Sequence, residues 1–201
     1  MNLGLVERCL AIGRSLSAYA PRMDLWRRLK ALPPVAEPDK ARAAVLIPLY
    51  ADGQSVRVVL TKRPDDMRTH PGDVVFPGGM MENGERPIDA AIREAEEEVA
   101  LPPEAVVEVL GGLSPLTTRD LDRLIVPVVA RIERPAELIP DPSEVEVIIE
   151  PTLAELLDES QWHTQDWMGH TLWFYQFREG TLWGATAFMV RELLTYLRGE
   201  R

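Results

Sequence analysis

Between Gly79 and Leu101 the chain reads GMMENGERPIDAAIREAEEEVAL, and this stretch constrains the fold more than any other. Pro87 suits a first helical turn, where its missing N–H and fixed φ do no harm. Ile88, Ala91, Ile92, Ala95 and Val99 recur at three- and four-residue spacing, which predicts one apolar stripe on a helix. Glu94, Glu97 and Glu98 follow the same spacing and are expected on the opposite side. Carboxylates on neighbouring turns repel unless something cationic stands among them. Hard divalent cations take oxygen ligands, so Mg²⁺ or Mn²⁺ is the natural occupant. On the helix alone, a solvated acidic face remains the plain alternative.

The flanks add a second constraint. Gly78 and Gly79 pair before the helix, and Asn83-Gly84 marks a turn. From Gly79, five residues lead to Glu85 and seven more to Arg93-Glu94, followed by Ala95, Glu96, Glu97, Glu98, Val99, Ala100 and Leu101. This resembles the Nudix box, and every polar position of that pattern is matched. The departure is Ala100, where the family usually has Gly. A left-handed residue is expected there, and Ala in it costs about 1 kcal/mol.

A second match lies upstream. Val59 to Gly79 reads VLTKRPDDMRTHPGDVVFPGG. It resembles the segment that precedes the box in the coenzyme A pyrophosphatase branch, with Leu60, Thr61, Arg63, Arg68, Gly72, Phe76, Pro77, Gly78 and Gly79 in register. Val59 and Pro64 depart from that pattern. Leu182-Trp183-Gly184 and Thr186-Ala187 resemble a further segment of the same branch.

The resemblance implies an α/β protein, the Nudix α/β/α sandwich with a mixed sheet, here behind an N-terminal helical extension. It implies a pyrophosphohydrolase that cleaves coenzyme A or acyl-coenzyme A into 3′,5′-ADP and 4′-phosphopantetheine. ADP-ribose, dinucleoside polyphosphates and a non-catalytic nucleotide-binding module are the alternatives. By the same resemblance Glu94, Glu97, Glu98, Glu85 and the Gly79 carbonyl are expected to hold Mg²⁺ or Mn²⁺. Arg93 is expected to hold a box glutamate in place. Glu98 or Glu144 is the expected base, with Glu146 a further acidic candidate near it. Arg63, Arg68, His70 and Phe76 are the expected substrate contacts, Arg being suited to phosphate by its two-pronged geometry.

Composition narrows the partners. With 32 acidic and 22 basic residues the net charge is −10, which argues against a nucleic-acid backbone. A phosphate substrate then requires local cations, a bound metal and an Arg cluster. Cys9 is the single cysteine, so no internal disulfide forms and a reducing, cytoplasmic setting is expected. No apolar run approaches the roughly 18 residues of a membrane span, and Glu7, Arg8 and Arg14 interrupt the N-terminal apolar pattern.

The remaining elements are local. Residues 3–18 and 23–31 are expected to form amphipathic helices of an extension covering 1–38, packed on the core; a homodimer arm or lid is the alternative. LPPVAEPDK reads as a linker into a domain spanning 39–201. AAVLIPLY and VRVVLTKR, joined by Asp52-Gly53, predict a hairpin. Strands are expected around Val106 to Leu110, over Leu124 to Ile132 and in LWFYQF, whose aromatics are read as core. An amphipathic helix closes the chain.

Overall fold

The computed structural model describes residues 22–117 and 124–200. The expected helix over residues 3–18, and any dimer arm there, lie outside the described residues. The elements run α1 (Arg22–Leu29), β1 (Ala41–Asp52), β2 (Ser55–Val58), β3 (Leu60–Lys62), β4 (Val74–Val75), β5 (Gly78–Met80), α2 (Pro87–Val99), β6 (Val106–Gly112) and β7 (Leu116–Thr117). They continue with β8 (Leu124–Ile132), β9 (Val147–Ile149), α3 (Leu153–Leu157), β10 (Trp162–Trp167), β11 (His170–Gln176), β12 (Thr181–Leu182) and α4 (Gly184–Arg198).

The central sheet is mixed. Its order is β2-β1-β8-β6, with β5 also on β1 and β7 also on β8. Strands β1 and β8 run parallel, and every other pair in this sheet is antiparallel. The continuous apolar run of β1 follows from burial on both faces. Ala44, Leu46 and Tyr50 pack with Ala90, Ala91, Ala95 and Val99 of α2. Ile47 and Leu49 point the other way, to a cluster with Leu25 and Leu29 of α1 and Leu193, Leu194 and Leu197 of α4. The result is a sheet between helices, as the resemblance implied.

Two local expectations need correction. VRVVLTKR is not one strand. It breaks at Val59, whose N–H donates to the Pro48 carbonyl. After the break β3 leaves the central sheet and pairs with β4 and β9. The Pro-rich segment is not a free linker either. The Gly112 N–H donates to the Pro33 carbonyl at 2.9 Å, and Leu32 is buried, so the segment lies along β6. The hairpin forms as expected, with Asp52 opposite Ser55 and Gly53 at φ 55°.

Candidate active site

Three pieces of chain meet at α2. The first is Pro77-Gly78-Gly79. Strand β5 places Gly79 opposite Ala44 and Gly78 opposite Val45 of β1. A Cβ on Gly79 would stand 2.4 Å from Oε2 of Glu94, so the glycine is what lets that carboxylate lie against the strand. The second piece is α2 itself, with Pro87 at its start. It ends where Ala100 turns left-handed, φ 51° and ψ 38°, as the missing family glycine predicted. The third is the segment after β8. The Ile139 N–H donates to the Val99 carbonyl at 3.1 Å and the Asp141 N–H to the Glu98 carbonyl at 2.9 Å. These bonds satisfy carbonyls that a helix C-terminus leaves open. They bring Glu144 beside the helix glutamates, close enough to act on the titration of both Glu94 and Glu98.

Arg93 is the hub of the acidic face. Its Nε donates to Glu85 Oε1 at 3.0 Å and its Nη2 to Glu85 Oε2 at 3.1 Å. Its Nη1 meets Glu94 Oε1 at 2.8 Å and Glu97 Oε2 at 3.3 Å, and Nη2 also reaches the Met80 carbonyl at 3.0 Å. Glu85 is therefore held as an anion, well below the usual carboxylate range, first by Arg93 and then by the Glu82 N–H. Arg93 thus bonds Glu85, Glu94 and Glu97 at once.

The three helix glutamates do not share one solvent face. Glu97 is exposed, but Glu98 is 4% exposed and lies on the buried side with Ala91 and Ala95. Ala90, absent from the predicted stripe, is fully buried, whereas Ile88 and Ile92 only flank the core. Small alanines let α2 approach the sheet, and the helix turns so that Glu98 follows them inward. Burial, then Glu144, push the Glu98 carboxyl up to about 8, against the lowering effect of the Gly78 N–H and of Arg63. Burial also raises Glu94, with Glu97 and Glu144 adding to it.

The expected substrate contacts separate. Arg63 is partly buried, faces Glu98 electrostatically, and has a buried Nε with no hydrogen-bond partner among the described residues. Arg68 and His70 are exposed on the same loop, and His70 Nδ1 lies 3.1 Å from Asp73. Phe76 is corrected: at 2% exposure it belongs to the hydrophobic core and presents no face to a ligand. Apolar residues between a polar loop and a Gly-Gly turn are drawn inward. Glu146 pairs with Lys62 instead of joining the carboxylates on α2. Asp73 joins several parts of the site through His70, Arg63 and Trp183, although a lone aspartate between Gly72 and Val74 carries no local signal in the sequence.

Among the described residues, no three His, Cys, Asp or Glu side chains stand together at a spacing that would hold a metal ion. The donor set nevertheless fits a hard cation. Glu94 and Glu98 are oxygen donors whose charge is disfavoured where they stand, and Glu144 faces them. Glu94 and Glu98, with the Gly79 carbonyl, would hold it.

In this sandwich a Gly-Gly strand sets a carboxylate-bearing helix beside an Arg-containing loop. The comparisons give the family. The NUDIX domain family profile matches residues 40–172, and the chain belongs to the Nudix hydrolase family. It is 38% identical over 178 residues to a protein of Enterobacter sp. (strain 638) named uncharacterized Nudix hydrolase NudL, covering 85% of this chain and 91% of that one. It is 35% identical over 184 residues to the protein of the same name from Photorhabdus laumondii, covering 89% and 96%. Its fold resembles the crystal structure of DR0079 from Deinococcus radiodurans, with a TM-score of 0.52 at 20% identity over 79% of this chain and 85% of that one. No helix among the described residues is long and apolar enough to cross a membrane.

Proposed function

We propose that this Nudix hydrolase cleaves the pyrophosphate bond of coenzyme A or acyl-coenzyme A with Mg²⁺ or Mn²⁺, releasing 3′,5′-ADP and (acyl-)4′-phosphopantetheine. The observation that carries the reading is Arg63. It opens the loop whose sequence resembles that of the coenzyme A branch, faces Glu98, and keeps a buried Nε–H without an acceptor among the described residues. A buried guanidinium donor wants an anion, and a phosphate oxygen supplies one. Arg68, exposed on the same loop, is the candidate for a second phosphate such as the 3′ group.

When bound, the cation neutralises charge on the phosphates and lowers the pKa of a water. The chain does the rest. Glu94 and Glu98 would hold the cation, Arg93 keeps Glu94 and Glu85 in place, and Arg63 binds the pyrophosphate of the substrate. Glu144, exposed and beside Glu98, accepts the proton of the attacking water. Pro64 does not disturb the loop. Its carbonyl accepts from the N–H groups of Met67 and Gly72, so the fixed φ of proline starts the turn.

The test is a substrate panel read by chromatography with Mg²⁺ and with Mn²⁺. It compares coenzyme A, dephospho-coenzyme A, ADP-ribose, a diadenosine polyphosphate and NADH. A kcat/KM advantage for coenzyme A over its dephospho form is expected. A preference for ADP-ribose or a dinucleotide overturns the substrate and leaves the pyrophosphohydrolase.

A further inference from the structure

Trp183 has no part in the chemistry above, yet it reaches the substrate loop. It precedes α4 with extended backbone, φ −155° and ψ −175°, and its side chain does not cap the helix. The indole lies parallel to the Phe174 ring of β11, 6.2 Å between centroids and 5° between planes. Its Nε1–H donates to Asp73 Oδ1 at 2.8 Å. Asp73 is the residue that closes the loop opened by Arg63, because its carbonyl accepts the Arg63 N–H at 3.0 Å. The second carboxylate oxygen of Asp73 lies 3.1 Å from Nδ1 of His70, whose φ is 53°. Asp73 thus joins three parts: its carbonyl holds the Arg63 end of the loop, and its carboxylate, 19% exposed, links His70 near the other end to an aromatic stack on another sheet.

We propose that Trp183 is a positioning residue: through Asp73 it holds the Arg63–Asp73 loop in the conformation that presents Arg63 and Arg68 to the substrate phosphates. The proposal rests on the reading that this loop meets phosphate. The loop tip is exposed, and its base is the short β3–β4 pairing of Thr61 with Val75 and Lys62 with Val74. That base and the turn bonds to the Pro64 carbonyl fix the loop only within itself, and ordering it against the rest of the site on binding would weaken affinity. A stacked indole has few rotatable bonds and a single N–H, so it fixes one orientation.

The test measures steady-state kinetics on coenzyme A for Trp183→Phe, Asp73→Ala, Asp73→Asn, the Trp183→Phe/Asp73→Ala double variant and Arg68→Ala, with thermal unfolding of each. Trp183→Phe keeps the stack and removes the donor. It is expected to raise KM roughly tenfold, the size of one hydrogen bond to a charged group, with kcat within about twofold. Asp73→Ala matches it, the double variant is no worse than either single variant, and Asp73→Asn, which keeps an acceptor, restores most of the affinity. A KM unchanged by Trp183→Phe, or a fall in kcat alone, overturns the proposal. So does an effect of Trp183→Phe that Asp73→Ala lacks, because the ring itself would then touch substrate. If Arg68→Ala raises KM while Trp183→Phe does not, only the positioning role falls. If neither moves KM, the positioning role falls and so does the assignment of Arg68 to a second phosphate.

Discussion

Gly79→Ala separates catalysis from folding in this site. An alanine Cβ at 79 would stand 2.4 Å from Glu94 Oε2, 2.5 Å from its Cδ and 2.7 Å from its Oε1. Ordinary contact begins near 3.4 Å, so the carboxylate must retreat by about 1 Å. The three nearest atoms all belong to the end of a flexible side chain, which gives way cheaply. Glu94 is bonded to Arg93 at 2.8 Å, so the guanidinium that also holds Glu85 is pulled with it. A misplacement of about 1 Å in a reacting constellation lowers rates by roughly 100-fold, or about 2.7 kcal/mol. The fold should be almost untouched, with Tm within about 3 °C of the parent. Gly78→Ala is the contrast. Its Cβ would meet the Ala44 carbonyl oxygen at 2.4 Å and Val45 Cα at 2.6 Å, and strand backbone in mid-sheet cannot withdraw. That variant should lose on the order of 3 kcal/mol or more of stability. Initial rates of hydrolysis with Mg²⁺ and circular-dichroism melts check both. A Gly79→Ala enzyme within threefold of the parent in kcat/KM would show that Glu94 does not work where the structure places it. A Gly79→Ala protein that melts as early as Gly78→Ala would refute the claim that the side chain yields.

Ala100→Gly should raise stability by about 1 kcal/mol, roughly 2–4 °C in Tm, because the left-handed φ of 51° strains Ala and not Gly; a fall in Tm would mean that α2 does not end this way in solution. Burial pushes the Glu98 carboxyl from the ordinary glutamate value near 4.5 up to about 8, so the metal-free fold binds that proton more tightly than the unfolded chain does. Its contribution is then complete below about pH 4.5 and is lost as pH rises towards about 8, a change on the order of a few kcal/mol. Urea melts in chelator at pH 5 and pH 8 should show the decline, and Glu98→Gln should flatten it; equal slopes in both proteins would contradict the burial of this carboxyl.

Local rules were enough for much of the chain. Pro87 and an apolar stripe ending at Val99 placed α2, and an apolar run placed β8 over Leu124 to Ile132, where the structure has them. The turn after Asp52 follows from preferences that act within a few residues, whereas the left-handed Ala100 runs against sterics and was expected only from the glycine usual there in the family it resembles. The run from Gly79 to Leu101 was sufficient to imply the family, because its spacing encodes which helix turn each carboxylate occupies. What spacing could not decide is depth. Glu97 and Glu98 are adjacent in sequence, yet one is exposed and the other buried, because the alanines of α2 decide how far the helix settles on β1 and β8. Phe76 was read as a ligand contact and is core, since its direction depends on the turn into β5. Glu144 reaches the carboxylates only because Ile139 and Asp141 close the end of α2, and Asp73 meets Trp183 across 110 residues of chain. Such contacts carry no local signature: they exist because distant strands pair, and pairing is a property of the whole sheet and not of any segment in it.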